Sequence, residues 1–168
     1  MAPMNDDVPK DDVPKKDAST QAMEVALRLL RHRGRSRHEL RGALKRHGFR
    51  ESVREQVLQR LSELGYVDDA KFARHRATTL LRDGKLAGPA VLARLAAHGL
   101  DEAEAKAALA AAQEELGFDP LAAARSLLER RGLWGRPLSD KERARAARML
   151  AQRGFSQGVV EQLLGEST

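Results

Sequence analysis

Apolar positions along the chain recur at three- and four-residue intervals and are interrupted by glycines, which is the pattern of short helices that each bury one face. Between 36 and 49, Leu40, Ala43 and Leu44 mark such a face. Ser36 and Glu39 have the Ser-x-x-Glu spacing of a reciprocal helix cap, Gly48 ends the run, and Phe49 supplies the apolar contact beyond a glycine stop. The arrangement returns twice. LKRHGFRESVREQVL at 44–58, LAAHGLDEAEAKAAL at 95–109 and LAQRGFSQGVVEQLL at 150–164 superimpose without gaps, so Gly48, Gly99 and Gly154 fall in register, followed by Phe49, Leu100 and Phe155. The separations are 51 residues (48 to 99) and 55 residues (99 to 154).

A further helix precedes each pair, over 20–33, 69–82 and 120–131, so the pattern predicts three tandem units of three helices. Cap-box spacing at Ser52 with Glu55, Asp101 with Glu104 and Ser139 with Glu142 marks helix starts, as do Pro89 and Pro120 at first helical positions. The division expected is a disordered tail at 1–18, where DDVPK occurs twice with almost no apolar residues, then repeats at 19–66, 67–117 and 118–168. Alternating β-branched runs are absent, and six aromatics in 168 residues leave Leu, Ala and Val to build the core. The fold expected is all-α: three tandem three-helix repeats forming an elongated, curved, solenoid-like monomer.

Charge sharpens this picture. From Arg28 to Arg50 the chain carries nine Lys or Arg against Glu39 alone, a local +8 in a protein of net charge +6. Arg37, Arg41 and Lys45 follow at intervals of four on a stripe turned away from the leucines. Such a stripe is either a solvated helix face or an electrostatic footprint for a polyanion or an acidic protein groove. Residues 101–119 carry six acids against Lys106, whereas 130–153 carry eight basic residues against Asp140 and Glu142. Both end units are therefore basic, and the last helix of the middle unit is acidic.

Enzyme signatures are missing: there is no Gly-x-x-x-x-Gly-Lys, no His-Glu-x-x-His and no Gly-x-Ser-x-Gly. The five histidines lie in or beside basic segments, and cysteine is absent, so neither a metal nor a cofactor is expected. Asp68 and Asp69 precede an apolar helical run and read as helix caps rather than paired catalytic acids. Trp134 reads as a core plug, and Tyr66, after the cap glycine Gly65, as a residue packed between units. With no apolar stretch near 18 residues and no signal peptide, a cytoplasmic protein without membrane association is expected. Residues 36–64 also suit a DNA-binding helix-turn-helix. Glu51, Glu55 and Glu63 on its second helix argue against base reading, which leaves a free-standing basic helical DNA-binding protein as the alternative.

ALRLLRHRGRSRHELRGALKRHGF, VLQRLSELGYVDDAKFARHRA, GPAVLARLAAHGL and AARMLAQRGFSQGVVEQLL, in that order, resemble the RecX family of regulatory proteins over residues 22–164. The elements that carry the resemblance are Arg35-Ser36 with Glu39-Leu40, Gly65-Tyr66-x-Asp68-Asp69-x-x-Phe72-Ala73, Gly88-Pro89, and Arg153-Gly154-Phe155. The resemblance implies three tandem three-helix repeats and a non-enzymatic regulator of the RecA recombinase. Such a protein binds the groove of RecA filaments on single-stranded DNA and restrains filament growth, ATP hydrolysis, strand exchange and repressor self-cleavage. The partners expected are RecA, as monomer and nucleoprotein filament, with auxiliary contact to single- or double-stranded DNA. The binding face expected on the first unit is Arg35, Arg37, Arg41 and Lys45, extended by Arg74, Arg76, Arg82 and Lys85 and by Arg143, Arg145 and Arg148. Structural roles in caps, core and turns fall to Ser36, Glu39, Leu40, Gly48, Gly65, Tyr66, Asp68, Asp69, Phe72, Ala73, Gly88, Pro89, Gly99, Gly154 and Phe155.

Overall fold

The computed structural model describes residues 17–165, and the DDVPK segment expected to form a tail lies outside them. The described residues form nine helices: α1 Ala18–His32, α2 Arg37–Arg46, α3 Glu51–Glu63, α4 Asp69–Arg82, α5 Gly88–Ala96, α6 Glu102–Leu116, α7 Pro120–Arg130, α8 Asp140–Gln152 and α9 Gln157–Leu164. None is long and apolar enough to cross a membrane. Asp17 and Ala18, assigned to the tail from sequence, belong instead to the cap and first residue of α1.

The first helix of each unit opens on an aspartate. The side chains of Asp17, Asp68 and Asp119, spaced by 51 residues, accept from the backbone N–H groups of Ser19, Lys71 and Leu121 respectively. Five residues past each cap, Ala22, Ala73 and Ala124 are fully buried. This register separates the units more evenly than the glycine turns do. Of the extra four residues of the third unit (55 against 51), three lengthen the stretch from the α8 cap to its turn glycine, Ser139 to Gly154 against Ser36 to Gly48, and one falls between the caps of α7 and α8, in the stretch around Trp134. That ring packs partly buried against the third core, with the Arg125 guanidinium 5.7 Å from its centroid.

Capping boxes form at Ser36–Glu39, Asp101–Glu104 and Ser139–Glu142. The box expected at Ser52 does not form. Helix α3 starts one residue earlier, at Glu51 behind an uncapped Arg50, so Ser52 is already helical and Glu55 turns towards α2. Pro120 opens α7 as expected, but Pro89 stands second in α5, behind Gly88.

Each unit has its own core of small and branched aliphatic side chains. Leu40, Leu44, Leu58 and Leu61 close around Ala22 and Ala26; Leu81, Val91 and Leu95 around Ala73 and Ala77; Leu127, Leu128, Leu150 and Phe155 around Ala124 and Ala146. Alanines on the first helices let the other two approach closely, which is how a chain with so few aromatics reaches interior packing. All extensive helix–helix contacts fall within a unit.

The units join through small turn-to-cap contacts that repeat. At the first joint, Ser36, the N-cap of α2, donates its Oγ–H to the carbonyl of His98 at 2.7 Å, immediately before Gly99. At the second, Ala87, the N-cap of α5, donates its N–H to the carbonyl of Arg153 at 2.8 Å, immediately before Gly154. The start of one unit's second helix thus docks on the glycine turn of the next. A Cβ at Gly99 would run into Cγ of His38, and one at Gly154 would lie 2.7 Å from backbone atoms of Ala87 and Ala90. Both glycines also have positive φ, so the turn geometry and the close approach call for the same residue.

Candidate interaction surface

Helix α2 is short, and its buried residues are Leu40, Ala43 and Leu44, which leaves its basic positions on the far side. Arg41 holds Glu55 of α3 in a two-pronged ion pair, Nε to Oε1 at 2.6 Å and Nη2 to Oε2 at 3.0 Å, and Arg37 Nη2 reaches the same carboxylate at 3.3 Å. Hydrogen bonding by Arg41, then by Arg37, holds the Glu55 carboxyl below its usual range in spite of partial burial, and the same carboxylate raises the Arg41 guanidinium. Two guanidiniums therefore share one negative charge and stay fixed across the α2–α3 face. Lys45 extends the row exposed, with no ion pair among the described residues.

Arg35 departs from the expected face. It is half-buried, and its Nε donates to the Leu29 carbonyl at 3.4 Å, tying the connection between α1 and α2 back to α1. Arg76 is also half-buried, with its Nε shielded and unpaired, so it is a poor candidate for surface contact. Arg74 and Arg82 are exposed and line one hollow with Lys71, His75 and Glu115, where Arg74 pairs with Glu115 at 3.3 Å. Lys85 is exposed, and its carbonyl accepts from Arg153 at the second joint. In the third unit Arg145 lines a hollow with Arg131 and Arg153, Arg143 lines another with Trp134 and Arg136, and Arg148 is exposed. The cations therefore occupy separate places along the three units instead of one concave site.

Several positions read as structural are so placed: Leu40, Ala73 and Phe155 are buried, Asp68 caps α4, and Gly48, Gly65, Gly99 and Gly154 have positive φ. Asp69 does more than sit at a helix start. Its Oδ1 accepts the backbone N–H of Arg37 at 2.7 Å, across the first joint. Beside it the Phe72 ring meets the His98 ring edge-on at 5.3 Å between centroids. Glu39 completes the joint, bonded to Arg33 at 2.8 Å and lying 3.3 Å from His98 Nδ1. Burial pushes the Glu39 carboxyl up, but Arg33, the Ser36 N–H and His98 together outweigh it and hold the group at about 2. Gly88 has room for a Cβ, 3.8 Å from Leu109 Cδ2, so neither space nor φ requires glycine there.

Tyr66 contradicts the reading that packs it between units: it is 59% exposed, beside Leu64 at 50%. The neighbouring residue explains this, because Val67, 5% exposed, already supplies the apolar contact beyond the Gly65 turn. Tyr66 instead lines a hollow with Leu27, Leu30, Arg28 and Arg31 of α1, a mixed aromatic and cationic surface that sequence reasoning missed. A second apolar residue directly after Tyr66 was the available signal.

Comparison with known proteins gives the same organisation. Residues 22–61 match the RecX first three-helix domain and residues 119–164 the RecX third three-helix domain. The chain is 35% identical over 149 residues to Regulatory protein RecX of Syntrophotalea carbinolica, covering 88% of this chain and 96% of that one. It is 38% identical over 156 residues to Regulatory protein RecX of Thermobifida fusca, covering 90% and 80%. In fold it is similar to the crystal structure of RecX from Lactobacillus salivarius, with a TM-score of 0.74 at 20% identity over 88% of this chain and 95% of that one. Sequence relatedness over nearly the whole length, with the same succession of three-helix units, establishes that the chain belongs to the RecX family of regulatory proteins.

Proposed function

We propose that this chain is a non-enzymatic cytoplasmic regulator of the RecA recombinase. It binds RecA and lies in the groove of RecA filaments on single-stranded DNA, restraining filament extension, ATP hydrolysis, strand exchange and repressor self-cleavage. Through these it tunes recombination, DNA repair and the SOS response. One observation carries the reading: the fixed Arg37–Arg41 pair, with Lys45 beyond it, lies on the second helix of the stretch matched by the RecX first three-helix domain. Guanidiniums already oriented by Glu55 lose less freedom when they meet a carboxylate or phosphate on a partner. Exposed Arg74, Arg82 and Arg148 supply further cations along the chain for a long, structured partner.

The test is the ATP hydrolysis rate of RecA on single-stranded DNA as the protein is titrated in below one copy per RecA. Inhibition at such ratios is expected, and Arg41→Glu with Lys45→Glu should weaken it while helix content holds. No inhibition, together with tight binding to bare DNA and a steep salt dependence, would overturn the proposal in favour of the nucleic-acid reading.

A further inference from the structure

Both internal joints set the N-cap of one unit's second helix against the residue before the next unit's turn glycine, through the Ser36 hydroxyl at the first and the Ala87 N–H at the second, and the cap and turn of the first joint each recur in an outer unit. The donor half is the start of a unit's second helix; the acceptor half is the turn between the second and third helices of the following unit. Among the described residues, nothing docks on the third unit's donor half or on the first unit's acceptor half as the neighbouring unit does at the internal joints.

At the outer end of the third unit, Arg136, Ser139 and Glu142 repeat the spacing of Arg33, Ser36 and Glu39. The ion pair recurs too, Arg136 to Glu142 at 2.6 Å against Arg33 to Glu39 at 2.8 Å. Exposure is what differs. Ser36 is fully buried and Ser139 exposed; the Glu39 side chain is 16% exposed and that of Glu142 37%. The hydroxyl proton differs in the same sense. Ser36 Oγ donates across the joint to His98, whereas Ser139 Oγ donates back to Glu142 at 2.9 Å within its own cap. In the first unit, His47 and Gly48 are the counterparts of His98 and Gly99. Both are exposed, no backbone N–H among the described residues donates to the His47 carbonyl, and a Cβ at Gly48 would meet nothing within 4 Å.

We infer that these two ends bind each other between copies: the Ser139–Glu142 cap of one molecule docks on the His47–Gly48 turn of a second, head to tail. Charge favours the contact, since the first turn of α8 carries Asp140 and Glu142 and the last turn of α2 carries Lys45 and Arg46. The contact between copies is weaker than the internal one. Ala18 and Gln21 stand where the first joint has Asp69 and Phe72, so the carboxylate to the N–H and the ring against the histidine are lost. The chain is accordingly a monomer when dilute and grows by single additions when concentrated. A heterologous contact of this kind does not close on itself unless its rotation makes a ring. On a partner with a regular repeat it would turn isolated binding into runs of adjacent copies, a consequence that rests on the filament reading, whereas the contact itself does not.

Sedimentation velocity of the isolated full chain, from low micromolar to near-millimolar concentration, tests this without any partner present. The wild-type weight-average mass should rise with concentration past that of a dimer. His47→Glu places two carboxylates together, and Glu142→Lys places cation against basic turn, so each single variant should remain a monomer at the same concentrations with unchanged helix content. The double variant restores opposite charges across the contact and should associate again. A wild-type chain that stays monomeric throughout, one that plateaus at a dimer, or a double variant that fails to recover would each overturn the inference, and none of them bears on RecA binding.

Discussion

Ser36→Ala removes one hydroxyl that makes two bonds, and their contributions are separable because the protein contains its own control. The hydroxyl accepts the Glu39 N–H at 3.1 Å, capping α2, and donates to the His98 carbonyl at 2.7 Å, joining two units. Losing the cap costs about 1 kcal/mol. Leaving a shielded carbonyl without its donor costs about 1–2 kcal/mol more, for a total of about 2–3 kcal/mol. Ser139→Ala deletes the same cap from an exposed box with no neighbour, so its cost is the cap alone, about 1 kcal/mol. Urea unfolding followed by far-ultraviolet circular dichroism measures both. Trp134, the single tryptophan, packs in the third core and reports that unit by fluorescence. The Ser36→Ala loss should exceed the Ser139→Ala loss by about 1–2 kcal/mol, roughly a tenfold difference in the unfolding constant. Equal losses would refute the claim that the hydroxyl holds the joint together. Movement of the Trp134 transition in Ser36→Ala would show that the joints pass stability from the first unit to the third.

Other outcomes follow from the same geometry. Glu55→Gln removes the carboxylate that orients Arg37 and Arg41, so severalfold more of the chain should be needed to inhibit RecA ATP hydrolysis, and Arg41→Glu should raise the concentration needed further. Glu39 is held at about 2 against an ordinary 4.5, so its stabilisation is fully present above pH 4.5 and is lost as pH falls through 2. Allowing for solvent screening this amounts to about 2 kcal/mol, and Glu39→Gln should flatten the acid limb of a pH–stability curve across that interval. Gly48→Ala and Gly154→Ala both place a side chain at positive φ, at 84° and 85°, costing about 1–2 kcal/mol each. Only the second drives its Cβ into backbone at 2.7 Å, so thermal melts should rank Gly154→Ala as the more destabilising by about 2 kcal/mol.

What the sequence made legible is local. Helix stops at Gly48, Gly99 and Gly154, the boxes at Ser36, Asp101 and Ser139, and the alternation of buried positions depend on residues within a turn or two of each other. What it hid depends on partners far along the chain: Ser36 with His98 across 62 residues, Arg37 with Asp69 across 32, Arg41 with Glu55 across 14. Glu55 shows the difference most clearly. Its spacing from Ser52 matches a capping box, and that local bond was open to it. Two guanidiniums on the facing helix offered charge-assisted hydrogen bonds, roughly twice as strong as neutral ones, and Arg50 took the cap position without a side-chain bond. The same competition sets the character of the surface. Nine cations against one acid between Arg28 and Arg50 suggest a diffuse positive field. In the fold Glu39 pairs with Arg33, Glu55 with Arg37 and Arg41, and Leu29 holds Arg35, so much of that charge is spent on joining helices. The remainder that faces outward is smaller but stiffer, and stiffness distinguishes recognition of a shaped partner from general attraction to polyanions. A diffuse field would lose binding in proportion to the number of charges reversed, wherever they lie. A fixed pair predicts that Arg41→Glu, at a half-buried position, weakens binding more than reversal of a more exposed cation without an ion pair among the described residues, such as Arg148.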